Sequence, residues 1–344
     1  CIGTAAAEKQ WCRSPRCGMS AAMPDQDQLR AAIAPIVGSR AAAPRVTDGR
    51  ASLILDVTGL DPAARDAMAD AARAALLALP GISDVRIAMT ASRRERRILA
   101  VGSGKGGVGK STVAANLAVA LARAGHKTGL VDADIYGPSV PRLMGAEGIR
   151  PEAEGNKMIP VPTRFGVPVL SMGQLVEPGR AIAWRGPMAG NALGQLLDAH
   201  WGETELLIVD LPPGTGDVQL SMLSKHKPAG AIIVSTPQDL ALIDAARAVD
   251  LFAQAGVPMV GLIENMAGYA CPHCGQVSDP FGAGGAQAAA AAMNLPFLGR
   301  VPLEIAIRQA SDAGEPPAAT DSFVADPFRT IAAKVAAWLD QAGG

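Results

Sequence analysis

A glycine-rich segment contains the residues best suited to chemistry. They are Gly104, Lys105, Gly106, Gly107, Val108, Gly109, Lys110, Ser111 and Thr112. In the pattern G-x4-G-K-S, glycines let consecutive main-chain N–H groups surround phosphates, while the dipole of the following helix faces their negative charge. We expect Lys110 to contact the β- and γ-phosphates and Ser111 to offer its hydroxyl to Mg²⁺. The segment therefore predicts a nucleoside triphosphate site.

Three aspartates follow apolar runs that are typical of strands. Asp210 follows the run 206–209, and Asp132 and Asp134 follow the run 128–131. Because parallel strands end at the same edge of a sheet, we expect all three carboxylates near the phosphates. Asp210 occupies the position of a carboxylate that supports Mg²⁺, and either of the other two could orient an attacking water. The alternative for those two is a turn-forming role.

Two cysteines, Cys271 and Cys274, are separated by two residues, and the other three cysteines lie within the first 17 residues. A closed zinc or iron–sulfur site takes about four ligands, of which this pair supplies two. Either His273 and a carboxylate complete the site in one chain, or two chains contribute the same pair. A structural zinc, a redox-active dithiol and two unconnected surface thiols are competing interpretations.

The elements that must position these groups begin near residue 98, where strand and helix patterns alternate. The predicted strands are 98–101, 128–131, 167–171, 206–209, 231–235, 259–263 and 297–299. The predicted helices are 110–124, 189–199, 240–255, 284–293 and 327–341. Several strands are continuous apolar runs, as strands buried on both faces are. The pattern predicts an α/β fold with a mostly parallel sheet flanked by helices.

The chain before this point has its own pattern. Helices at 28–37 and 61–79 alternate with strands at 51–58 and 85–89, which predicts a small α+β domain. We assign that domain to 23–91, a linker to 92–97 and the larger domain to 98–344, and expect 1–22 to be disordered or a misassigned start. The charged run 93–97 is short and lacks aromatic residues, so we interpret it as a solvated hinge.

Charge and hydropathy disfavour several partners. The 344-residue chain has 31 Lys and Arg and 32 Asp and Glu, so no net field attracts nucleic acid. No uninterrupted apolar run approaches the roughly 20 residues that span a bilayer, and no secretory signal is evident. We therefore expect a cytoplasmic protein without a nucleic-acid or membrane partner.

The second lysine of the glycine-rich segment indicates a family. With Lys105 directly after Gly104, the segment resembles the deviant Walker A motif of P-loop ATPases that include nitrogenase iron protein and the cell-division and plasmid-partition ATPases. In that group this lysine reaches the nucleotide of a partner subunit. The resemblance implies ATP and Mg²⁺ as ligands, a homodimer, and a contact from Lys105 to phosphate in the second subunit.

Two further segments resemble the Mrp/Nbp35/ApbC family of iron–sulfur cluster carriers within that group. They are 132–139, with the sequence DADIYGPS, and 210–217, with the sequence DLPPGTGD. The resemblance implies that Asp134 orients the hydrolytic water. It also places Asp210 and Asp217 in the Walker B and switch II region, which surrounds the nucleotide.

The same resemblance extends over about 98–317. Asn265 matches a position whose side chain reads adenine, and Cys271 and Cys274 match a Cys-Pro-x-Cys pair that bridges a labile [4Fe–4S] cluster between subunits. It therefore implies cluster delivery to apo iron–sulfur proteins. The domain at 23–91 is similar to the small domain called DUF59 or MIP18-like.

The alternative is a positional or regulatory ATPase of the cell-division or partition type, with a structural zinc at the cysteine pair. Such a protein would be expected to carry a basic amphipathic helix for membrane binding. The predicted helix 327–341 has only Arg329 and Lys334 as cations. This composition favours the cluster carrier.

The lysine assignment predicts the behaviour of Lys105→Ala. We expect this variant to keep its fold but to lose ATP hydrolysis, because the charge contributed across the dimer interface is removed. The measurement is steady-state phosphate release alongside a circular dichroism spectrum. Normal turnover in the variant would contradict a contact between Lys105 and the partner's nucleotide.

Overall fold

A computed structural model describes residues 24–342 except for 59, 61, 91–95, 136 and 176–185. The chain divides into two compact units, Cys1–Arg94 and Glu95–Gly344. The predicted start at 1–22 lies outside the described residues, as does most of the predicted linker at 92–97.

In its described part, the first unit is a three-stranded sheet packed against two helices. Its elements are α1 (Gln26–Val37), β1 (Arg45–Thr47), β2 (Arg50–Asp56), α2 (Pro62–Leu77) and β3 (Asp84–Thr90). β1 is antiparallel to β2, and β2 is parallel to β3. Alternate residues of β2, among them Leu53 and Leu55, share a core with Leu29 and Leu76 of the helices. The sequence analysis did not predict β1, because a strand of three residues is too short to show an alternating hydrophobic pattern.

The strands of the second unit form one large sheet and two small hairpins. In chain order they are β4 (Arg97–Gly102), β5 (Thr128–Asp132), β6 (Glu152–Glu154), β7 (Lys157–Ile159), β8 (Val169–Ser171), β9 (Leu206–Asp210), β10 (Gly230–Ser235), β11 (Met259–Asn265), β12 (Tyr269–Ala270), β13 (Val277–Ser278) and β14 (Phe297–Val301). In the described residues, the large sheet has seven strands in the order β14-β11-β10-β4-β9-β5-β8. All neighbouring pairs are parallel, which confirms the predicted fold class.

The helices of this unit connect the strands and cover the sheet. They are α3 (Lys110–Arg123), α4 (Val140–Leu143), α5 (Gly186–Leu197), α6 (Asp217–Lys225), α7 (Asp239–Gln254), α8 (Gly285–Ala292), α9 (Ile305–Asp312) and α10 (Asp326–Ala342). The expectation lacked α4, α6 and α9, each of nine residues or fewer, because such short helices carry little periodic signal. Among the described helices, none is long and apolar enough to cross a bilayer.

The central strand β4 sets the position of the glycine-rich segment. Leu99 and Val101 of β4 lie in one hydrophobic core with α3 and α10, and Ala100 lies in the core on the opposite face with α5 and α7. Val101 is paired with Asp210 of β9, which in turn is paired with Asp132 of β5. The β4–α3 connection therefore leaves the sheet beside both aspartates.

Asn116 fastens the helix that follows this connection. Its Nδ2 donates to Thr112 O at 2.9 Å, and its Oδ1 accepts from Ala318 N at 2.8 Å. Asn116→Ala is expected to lower the free energy of unfolding by about 1–3 kcal/mol, because the buried Ala318 N–H loses its acceptor. Urea denaturation measures the change. Gln254→Ala, on an exposed helix face, is the control; an equal effect from both would contradict the assignment.

Candidate functional site

The glycine-rich loop between β4 and α3 forms one wall of a cavity of about 270 Å³. Lys105 and residues 106–112 line it together with Asp134, Gly137, Ser139 and Pro213. The structure thus brings the predicted P-loop and Asp134 together at the carboxyl edge of the sheet. Gly109 immediately precedes α3, so the N-terminus of that helix faces the cavity, as an anion site requires.

Two glycines of the loop have no room for a side chain. A Cβ at Gly104 would lie 2.0 Å from the main-chain carbon of Asp244 in α7. A Cβ at Gly109, whose φ is +77°, would lie 2.1 Å from Nδ2 of Asn265. Close contact with neighbouring elements therefore fixes the path of the loop, in addition to the conformational freedom of glycine.

Lys110 and Asp210 form a buried ion pair beneath the loop. Lys110 Nζ donates to Asp210 Oδ1 at 2.6 Å, with the two side chains 6% and 0% exposed. Burial raises the pKa of Asp210, and the positive charge of Lys110 opposes that shift. Asp210 Oδ2 is buried without a hydrogen-bond partner. A buried, unpartnered carboxylate oxygen beside the Ser111 hydroxyl fits a site for Mg²⁺, which prefers oxygen ligands.

Asp132 lies beside this pair and is fully buried. Its Oδ1 accepts from Asp134 N at 3.1 Å, and its Oδ2 accepts from Val140 N at 3.1 Å and from Ser171 Oγ at 3.0 Å. Burial, followed by the charge of Asp210, raises the pKa of Asp132 to about 7. These contacts make Asp132 a support for the loop between β5 and α4. Its predicted direct contact with nucleotide or Mg²⁺ stays a prediction.

Asp134 and Lys105 reach the cavity from two sides. Asp134 is half-buried, and its Oδ1 accepts from Gly137 N at 3.3 Å. Lys105 is exposed, in contrast to Lys110. The water-orienting role of Asp134 and the contact of Lys105 with a partner's phosphate stay predictions. Asp217 is the first residue of α6, and its side chain lies outside the described part of the chain.

Gln219 supports the loop that follows β9. It is buried, and its Nε2 donates to Pro212 O at 2.5 Å and to Gly214 O at 3.0 Å. Gly214 N donates to Ser103 O at 2.9 Å, which joins this loop to the start of the P-loop. Sequence reasoning missed Gln219, because the helix that carries it was not predicted.

Asn265 contacts the P-loop from the end of β11. Its Nδ2 donates to Val108 O at 2.8 Å, and the side chain is 7% exposed. The amide therefore holds the loop from the side of β11. The predicted contact of Asn265 with adenine is a separate role and stays a prediction.

Cys271 and Cys274 lie in the turn of the β12–β13 hairpin. Cys271 N donates to Gln276 O at 3.0 Å, and Gly275 N, at a residue with φ +72°, donates to Cys271 O at 2.8 Å. Cys271 is half-buried and Cys274 is exposed. The sequence placed these cysteines together but did not predict a hairpin, since each strand has only two residues.

Hydrogen bonds to the sulfur of Cys271 favour its thiolate form. Main-chain amides of His273 and Cys274 donate to it and lower its pKa, with a smaller effect from the Cys274 side chain. Thiolates bind metals, and amide donors stabilise their charge. The described residues contain no group of three or more His, Cys, Asp or Glu placed to hold a metal. The described part of one chain therefore supplies an incomplete ligand set.

A P-loop after the central strand, a second lysine in that loop and buried aspartates on neighbouring strands define a P-loop NTPase with a deviant Walker A motif. Residues 94–336 match the ParA family model described as NUBPL iron-transfer P-loop NTPase. The chain belongs to this family of iron-transfer P-loop NTPases. This confirms the resemblance to iron–sulfur cluster carriers.

Two relatives show how much of the chain is shared. An iron–sulfur cluster carrier protein of Deinococcus radiodurans is 47% identical over 277 residues, which cover 77% of this chain and 78% of the relative. An iron–sulfur protein required for NADH dehydrogenase, mitochondrial, from Arabidopsis thaliana is 47% identical over 248 residues, covering 71% and 79%. The similarity therefore extends well beyond the P-loop.

Solved structures agree with the fold. A nucleotide-binding protein of Archaeoglobus fulgidus in complex with ADP has a TM-score of 0.59 at 37% identity, covering 67% of this chain and 91% of that one. The cell-division ATPase MinD of Pyrococcus furiosus has a TM-score of 0.52 at 25% identity, covering 70% and 99%.

The burial of Asp132 predicts a pH-dependent effect of Asp132→Asn. Between the ordinary pKa of 3.8 and the folded value of about 7, the folded protein holds a proton that the unfolded chain releases. The contribution of this group to stability therefore falls as pH rises and levels off above about pH 7. We expect the melting temperature of the wild type, relative to the variant, to decrease between about pH 5 and about pH 7 and to change little above that.

Thermal unfolding without nucleotide measures this difference. Ser171→Ala is the control, because it removes one hydrogen bond to Asp132 but keeps the carboxyl group, and so retains the wild-type dependence. A difference between wild type and Asp132→Asn that does not change with pH would contradict the assignment.

Proposed function

We propose that this chain is an ATP-hydrolysing carrier that holds a [4Fe–4S] cluster between two copies of itself and delivers it to apo iron–sulfur proteins. The cysteine hairpin carries the proposal. It presents two thiols on a turn with sulfur-facing amides, and the described residues add no third ligand. The cargo is supported by the family description and by the names of the relatives.

The number of ligands argues for two subunits. An iron–sulfur cluster of this type takes four thiolates, and each chain offers Cys271 and Cys274. Two hairpins that meet on a two-fold axis would complete the set. Cys274 is exposed in the chain described here, so the cluster would lie near solvent at the interface. Such a position favours release to another protein over permanent retention.

The phosphate site supports hydrolysis by in-line attack of water. We assign Lys110, which lines the cavity, to neutralising charge on the transferred phosphoryl group, and the exposed Lys105 to contacting the partner's nucleotide. Asp134 lies in the cavity wall, where it can orient the attacking water. Ser111 and Asp210 are the groups that would hold Mg²⁺, which neutralises phosphate charge when bound. Catalysis is then mainly positioning and charge stabilisation.

Anaerobic reconstitution with iron and sulfide tests the proposal. Wild-type protein is expected to develop thiolate-to-iron charge-transfer absorbance, with about two irons per chain and a dimeric mass by sedimentation. The Cys271→Ala/Cys274→Ala variant is expected to lose the absorbance. His273→Ala is the matched control, since this residue lies between the two cysteines and we interpret it as a bystander. Activation of an apo iron–sulfur enzyme by the loaded protein measures delivery.

Three outcomes would overturn this function. Iron that remains in the double-cysteine variant would place the ligands elsewhere. If the wild type binds no iron, the proposal that the protein carries an iron–sulfur cluster is contradicted. Tight zinc in place of iron would favour the regulatory ATPase with a structural zinc.

A further inference from the structure

The cysteine hairpin belongs to a longer segment whose two ends are joined by one buried carboxylate. Residues 266–284 leave the sheet after β11 and return at α8. Glu264, near the end of β11, accepts from Gly284 N at 3.3 Å and from Ala286 N at 2.8 Å. Its side chain is 0% exposed, and Arg300 Nε donates to it at 2.9 Å. Glu264 thus fixes the start of the segment to its end.

The next residue along β11 contacts the nucleotide site. Asn265 Nδ2 holds Val108 O at 2.8 Å and lies against Gly109, where any Cβ would clash with it. Successive residues of a strand point to opposite faces. Neighbouring side chains of one rigid strand therefore contact the P-loop and the ends of the cysteine segment, respectively.

The backbone that follows Asn265 is strained. Met266 has φ +59°, a left-handed conformation that is unfavourable for a non-glycine residue. Ala267 N donates to Val301 O at 3.0 Å, and Leu303 N donates to Gly268 O at 2.9 Å, which hold this conformation in place. A strained residue thus lies between the P-loop contact and the cysteines, where a small displacement can change the direction of the chain.

We propose that Asn265 and Glu264 are positioning residues that link the conformation of the P-loop to the orientation of the cysteine hairpin. This inference rests on the proposed function, in which the hairpin holds the cargo. A shift of the Val108 carbonyl on phosphate binding moves or breaks its bond to Asn265, and the continuous strand transmits the change to Glu264 and to both ends of the segment. The coupling acts in both directions, as binding linkage requires.

Alkylation of the two cysteines measures the link without any cluster. Full-length reduced protein is treated anaerobically with iodoacetamide, with and without saturating MgADP, and the rates at Cys271 and Cys274 are read by peptide mass spectrometry. Nucleotide is expected to change the wild-type rate by about fivefold, the lower range of typical coupling. Asn265→Ala and Glu264→Gln, each compared at nucleotide saturation checked with a fluorescent ADP analogue, are expected to lose most of this change.

Asn116→Ala is the matched control. It also removes a buried amide that holds main chain next to the P-loop, but its second partner is Ala318 and not the cysteine segment. It is expected to keep the wild-type response of the cysteines to nucleotide. If this variant also loses the response, the effect comes from general destabilisation of the P-loop region, and the link is overturned.

The remaining outcomes also test the link between the P-loop and the cysteine hairpin. The link is overturned if the wild-type rate changes by less than about twofold, or if either variant keeps the full response at nucleotide saturation. If Asn265→Ala does not reach nucleotide saturation, Glu264→Gln decides alone, because Glu264 contacts Gly284, Ala286 and Arg300 and not the P-loop. Reconstitution of the wild type separates the two proposals. If a cluster binds but nucleotide does not change the alkylation rates of the cysteines, the link alone is overturned. If nucleotide changes these rates but no cluster binds, the carrier function alone is overturned.

Discussion

The ion pair between Lys110 and Asp210 is the constraint on which the nucleotide site depends. Removing two charges from water costs several kcal/mol per ion unless geometry and hydrogen bonds compensate. Compensation is available here because β4 and β9 are adjacent and parallel, so the first residue of α3 lies beside the last residue of β9. Asp132, one strand further, is bonded in the described residues to two main-chain amides and the Ser171 hydroxyl, and not to a lysine or arginine. Burial, and then the negative charge of Asp210, raise the pKa of Asp132, so a second carboxylate charge at this edge is unfavourable.

Much of this arrangement could be predicted because its signals are local. The P-loop is one contiguous segment, and Asp132 and Asp210 each end a short, mostly apolar strand. Parallel strands place such ends at the same edge of the sheet, and the adjacency of β9 and β5 brings these two aspartates together. The cysteine pair is likewise two residues close in sequence. Local pattern was therefore sufficient for the fold class and for the groups that surround the phosphate cavity.

The supporting contacts could not be predicted, because they join residues far apart in the chain. Ser171 holds Asp132 from a neighbouring strand, and Gln219 holds the loop after β9 from a short helix without periodic signal. Glu264 is an isolated acidic residue in an apolar strand, where sequence gives no indication of its partners. Its role depends on α8 returning to the same place. The contacts of Ser171, Gln219 and Glu264 therefore depend on tertiary packing and not on local sequence propensity.

The cysteine segment has one further property that follows from its closed ends. Glu264 joins β11 directly to the first turn of α8, and Ala267 and Gly268 bond to main chain at the end of β14, so both ends of the segment are held to the sheet without the hairpin itself. The hairpin strands β12 and β13 pair with each other and lie between these anchored ends. A different metal-binding turn can therefore replace residues 269–278 without a change to the contacts that hold the ends of the segment to the parallel sheet.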